Sequence, residues 1–158
     1  MTVVTRIPRK SRLSSIIDQP GGVSVGVALT QARANLQTFQ AQSQAIVAER
    51  VAELAAITAP TTLEEAFQKR EQAYAAASSV IDAAGPFELT DICAAAAGLC
   101  DLVDAARADR IFDWRIVTVH AQALRLMLTL PPEAAEARQQ ILENLKQVLL
   151  HKLGARED

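Results

Sequence analysis

Apolar positions recur along the chain at helical spacing, and the residues that break helices fall between the repeats. Val25, Leu29, Ala32, Leu36 and Phe39 step by four, three, four and three, the interval that keeps side chains on one helical face. Ser43 interrupts this stripe, and Ile46, Val47, Val51, Leu54 and Ile57 continue it with a drift of one position. Ser24 supplies an N-cap, so the pattern predicts a first helix from Val25 to Ile57. About 33 residues at 1.5 Å each span about 50 Å, which is long for a small domain. Such a helix either packs along a whole bundle or meets a second copy.

The junction "APTTLEEAF" follows, where Pro60 disfavours helix at Ala59 and Thr62 with Glu65 makes a capping-box pattern. A second helix is expected from Leu63 to Ala84, ended by Gly85 and Pro86, with Leu63, Phe67, Tyr74, Ala77, Ile81 and Ala84 inward. Arg70 falls on that stripe, its stem lying across apolar surface. Thr90 is the expected cap of a third helix, Asp91 to Ala108, whose run "CAAAAGLC" lets a neighbour approach closely. Asp113 caps a fourth, Trp114 to Leu128, with Trp114, Val117, Ala121, Leu124 and Leu128 inward. Pro132 opens a fifth, which runs to Leu153 with Ile141, Leu145, Val148 and Leu149 as its apolar face.

The expected fold is therefore all-α, an antiparallel bundle of about five helices with a long first helix and a flexible N-terminal arm. Three stretches are expected: the basic arm 1–22, a long helical hairpin 23–85, and a C-terminal helical part 86–154 of the same bundle. Composition agrees with this. Half of the residues are apolar, six glycines and six prolines sit at a few points, and no run of alternating β-branched residues is present.

Charge adds an asymmetry. The net charge of −2 conceals an arm, residues 1–22, that carries Arg6, Arg9, Lys10 and Arg12 against Asp18, while the remaining residues are acidic. No global positive field recruits nucleic acid, but the arm and the exposed Arg115 and Arg125 are candidate contacts for an acidic protein partner. The opening "MTVVTRIPRKSRLSSII" lacks the apolar core of a secretory signal, and no later stretch reaches membrane-spanning length; a cytoplasmic protein without membrane insertion is expected. Cys93 and Cys100, two turns apart on one helix, are too distant to bridge and read as buried small hydrophobes.

The one residue of chemical interest on an apolar run is His120, in "DWRIVTVHAQALRLML". It borders the inward stripe of the fourth helix, which predicts a half-buried imidazole hydrogen-bonded to a neighbour. The competing reading is a phospho-acceptor, which needs an exposed Nε2 and a nearby cation. The phosphotransfer pattern of lysine three residues on and a tiny residue four on is not met, since Ala123 and Leu124 stand there. No metal is expected, because His120 and His151 lie on different helices without ligands at metal spacing. No nucleophile is paired with a base, and "PGG" has neither the strand nor the lysine of a phosphate loop, so no cofactor is expected.

Three segments, "SRLSSIIDQPGGVSVGVALTQARANL", "AAAGLCDLVDAA" and "WRIVTVHAQALRLML", together resemble CheE, a small protein of alphaproteobacterial chemotaxis clusters. The resemblance implies a cytoplasmic accessory of a chemosensory phosphorelay that binds the kinase complex or a response regulator. It transfers no catalytic motif, although His120 matches a histidine of the family's fourth helix. Two function classes follow: a non-enzymatic interaction module that self-associates through the long first helix, and a phosphotransfer protein acting through His120.

Overall fold

A computed structural model describes residues 21–106, 112–131 and 133–154. The arm arginines Arg6, Arg9 and Arg12, together with Lys10, lie outside the described residues, as do the 107–111 connection and Pro132. Five α-helices and one 3₁₀ turn are found among the described residues, with no strand: α1 (Val25–Ala56), α2 (Leu63–Ala84), the 3₁₀ turn Gly85–Phe87, α3 (Thr90–Asp104), α4 (Arg115–Thr129) and α5 (Ala135–Gly154). The fold is all-α. The described residues fall into two units divided between Thr38 and Phe39.

In the first unit, Ser24 caps α1 as its sequence position requires, accepting from the Val27 amide at 3.3 Å. Val25, Leu29 and Leu36 of the apolar stripe are exposed in this unit.

In the second unit the buried face of α1 is Ser43, Val47, Val51 and Leu54. Ser43 does not interrupt the packing face; it begins it. Its hydroxyl donates to the Ala83 carbonyl at 2.5 Å, so the polar atom is satisfied where it is buried. Ile46, a member of the apolar stripe, is exposed, one residue off that face. Lys69 bonds Thr58 at the other end of the pair, so α2 runs antiparallel to this part of α1.

Helix α2 has the bounds expected of it, and Thr62 caps it by accepting from the Glu65 amide at 3.1 Å. The return arm of the capping box differs: the Glu65 carboxylate accepts from the amide and hydroxyl of Thr61 instead of from Thr62. Its buried face also differs. Ala73, Ala76, Ala77, Val80 and Ala84 are buried, whereas Leu63, Phe67 and Tyr74 are exposed. The packing face is the small one because α2 lies against the alanine-rich α3, where short side chains let the two backbones approach and fill the contact. Gly85 remains right-handed, and the chain reverses at Glu88, whose φ of 58° is left-handed.

Helix α3 is the hub, packing on α2, α4 and α5. It begins at Thr90 itself, so Thr90 is the first helical residue and not the cap, and it ends at Asp104. Ile92, Ala95, Ala96, Leu99, Leu102 and Val103 are buried on it. Leu99 and, on α4, Val117, Leu124 and Met127 are fully buried in the same cluster. Each such aliphatic side chain contributes about 1.5–3 kcal/mol relative to exposure. Asp113 accepts from the Arg115 amide at 3.2 Å, which helps start α4 one residue later than expected. Helix α5 begins at Ala135, not at Pro132, after a turn in which the Ala134 amide bonds the Pro131 carbonyl. Leu145 is its buried anchor, with Ile141, Val148 and Leu149 half-buried beside it.

Candidate functional site

His120 is not half-buried but 1% exposed. Its position three after Val117 and four before Leu124 places it on α4's flank, and α5 together with the near side of α3 closes over that flank. Its Nδ1 lies 2.9 Å from the Ile116 carbonyl one turn back. A carbonyl only accepts, so Nδ1 carries the proton and Nε2 presents its lone pair. Burial lowers the imidazole's pKa from the ordinary 6.5, and the Ile116 carbonyl works against that shift without reversing it. The ring is therefore neutral at pH 7.

The Nε2 side faces Gly98 of α3: a Cβ built there would stand 3.8 Å from Nε2. The missing side chain opens a groove of about 370 Å³. Ala94 and Ala97 extend its floor, Leu142, Leu145 and Leu149 of α5 form a wall, and the exposed Asp101 and Lys146 sit at its rim. Gly98 and Lys146 are absent from the sequence-based candidates. The glycine was the available signal, standing as the single gap in an alanine run. Almost all of the ring is buried, unlike the exposed imidazole that a phospho-acceptor needs.

The arginines proposed for partner contact are placed unequally. Arg115 is exposed, yet its guanidinium lies along the Asp113 carboxylate, Nε to Oδ1 at 2.9 Å and Nη2 to Oδ2 at 2.8 Å. Lys152 of α5 reaches the same Oδ2 at 2.9 Å. The Arg115 bond, followed by that of Lys152, holds the Asp113 carboxyl well below the usual carboxylate range. Arg115 is thus engaged in closing the α4 start, while Arg125 stands exposed on the outer face of α4. The two are not brought together with the His120 groove.

Cys100 is buried and Cys93 is half-buried; desolvation raises both thiols, and nearby aspartates add to it, so neither is an activated nucleophile. Among the described residues, no three His, Cys, Asp or Glu side chains form a group that could hold a metal ion, and no helix is long and apolar enough to cross a membrane.

A second surface has no chemistry but much apolar area. Along α1, Val25, Leu29, Leu36 and Phe39 are 76%, 53%, 40% and 59% exposed. Between Val25 and Ala48 the sequence carries one charged residue, Arg33. Comparison with known protein families, characterised proteins and solved structures returned no match.

Proposed function

We propose that this protein is a non-enzymatic interaction module that self-associates through the α1 face of Val25, Leu29, Ala32, Leu36 and Phe39. In the setting its sequence resemblance implies, it is a cytoplasmic accessory of a bacterial chemosensory phosphorelay and binds the kinase complex or a response regulator. The observation that carries self-association is the exposure of that stripe at 3.5-residue spacing on a nearly uncharged helix. A helical stretch of this length without ion pairs is marginal in water on its own, and a row of large exposed aliphatics gains by being covered. The lack of charge favours a second copy: two like faces meet without repulsion, whereas a charged partner finds nothing to pair with.

Sedimentation tests this directly. The wild-type chain is expected to be a dimer or larger at tens of micromolar, and Leu29→Glu with Leu36→Glu is expected to give monomer. A monomeric wild type, or a double variant that stays associated, overturns the reading. Phosphotransfer is the competing chemistry. Acid-labile label on the wild type after incubation with phosphorylated regulator, absent from His120→Gln, would install it instead.

A further inference from the structure

We propose that the groove between α3 and α5 floored by His120 is a binding site for a small neutral molecule, mostly apolar, of one or two rings and carrying a single O–H or N–H donor. Three features of the groove support this class of ligand. First, a lone acceptor faces it. His120 is 1% exposed, its Nδ1 is committed to Ile116, and Nε2 has no hydrogen-bond partner among the described residues. A neutral lone pair without a protein partner accepts from an O–H or N–H that enters the groove. Second, the groove is shaped by an omission: Gly98 is where a side chain would stand over Nε2, and nothing else fills that space. At about 370 Å³ the groove is within the size range of small-molecule sites. Third, its walls select against charge. Ala94, Ala97, Leu142, Leu145 and Leu149 offer no polar side-chain atom, and Asp101 and Lys146 at the rim carry opposite charges that leave no net field for an ion. A charged ligand would lose its hydration without a counter-charge at the floor. The site is separate from the α1 stripe and does not depend on self-association.

The test uses the full chain and a matched pair of probes, 4-ethylphenol and 4-ethyltoluene, which differ by a hydroxyl against a methyl. In a two-bond proton–nitrogen correlation spectrum, 4-ethylphenol should move the His120 Nε2 resonance upfield and saturably, as hydrogen bonding to the lone pair requires. 4-Ethyltoluene should bind about fivefold to tenfold more weakly and leave Nε2 unmoved, the difference one hydrogen bond makes. Gly98→Val should abolish both, since its methyl groups enter the groove, and Gly98→Ala, whose Cβ meets only ordinary contact, should weaken both; unchanged far-UV circular dichroism shows that each variant is folded. No saturable Nε2 shift, equal affinity for the two probes, or binding that survives in Gly98→Val each overturns the proposal.

Discussion

At the scale of single residues, His120 makes the stability of the fold depend on pH in a window of its own. In the folded protein its pKa lies below 6.5 because burial penalises the imidazolium, while the unfolded chain takes up a proton at the ordinary value. Below pH 6.5 the unfolded state therefore binds more protons than the folded one. Stability must fall as pH falls, by up to about 1.4 kcal/mol per unit for one group, until the folded ring protonates as well. Above pH 6.5 this contribution is flat. Glu65 acts in the same direction but lower down. Its bonds with Lys69 and Thr61 hold it at about 2, so its contribution is present above its ordinary 4.5 and is lost as pH falls from there toward about 2. The two windows do not overlap near neutrality, which makes the histidine separable. Urea unfolding at about pH 7.5 and about pH 5.5 should show a lower midpoint at the acid value, and His120→Leu should remove that difference. An unchanged or higher acid midpoint in the wild type would mean that the ring is solvated. The depth of this imidazole was not legible in the sequence. Spacing on α4 placed it at a boundary, and the decision to bury it was made by residues on α3 and α5, which no pattern within α4 contains.

At the scale of elements, one side chain joins three segments. Arg138 of α5 bonds Asp91 in the first turn of α3 at 2.6 Å and the Leu130 carbonyl just after α4 at 2.8 Å, and its Nε is buried without a partner. Both members of the ion pair are largely shielded, at 16% and 20% side-chain exposure, so removing one partner strands the other's charge away from water. Asp91→Ala is accordingly expected to cost about 2 kcal/mol. Arg138→Met should cost less, about 1 kcal/mol, because it also removes the unpartnered Nε and keeps an apolar stem in place. If Asp91→Ala leaves the urea midpoint unchanged, the ion pair is not what binds these elements. The same scale separates what sequence pattern conveys from what it cannot. Helix bounds followed from breakers and caps: Thr62 and Gly85 bracket α2 where expected, because capping chemistry is local. The inward face of α2 did not follow, since Phe67 and Tyr74 outweigh Ala73 and Ala76 in any count of apolarity. Burial is settled by fit to the facing helix, and α3 is rich in alanine. Ser43 misleads for the same reason: a hydroxyl breaks an apolar stripe on paper, yet it packs well once the Ala83 carbonyl is within reach.

At the scale of the whole molecule, the apolar surface divides into what the described helices cover and what they leave open. Leu99, Leu124 and Met127 need no partner beyond the chain. Val25, Leu29, Leu36 and Phe39 are left exposed, and in the proposed self-association their neighbours along α1 determine the kind of contact they can make. With Arg33 the only charge from Val25 to Ala48, ion pairing contributes almost nothing across such a contact. Screening by salt, which weakens exposed charge pairs over a Debye length of about 8 Å at physiological strength, should therefore leave the association intact. Binding that favours the folded state also couples stability to mass action, so the thermal midpoint of the wild type should rise with protein concentration and hardly respond to added sodium chloride. The double substitution of Leu29 and Leu36 by glutamate should flatten the concentration dependence and lower helix content, because the first half of α1 then loses the cover that sustains it. A contact made instead by the basic arm on an acidic surface would behave in the opposite way, weakening steeply as salt is added while tolerating both leucine substitutions. Midpoints independent of concentration across a hundredfold range, about two decades, would remove self-association as the reason this stripe is apolar.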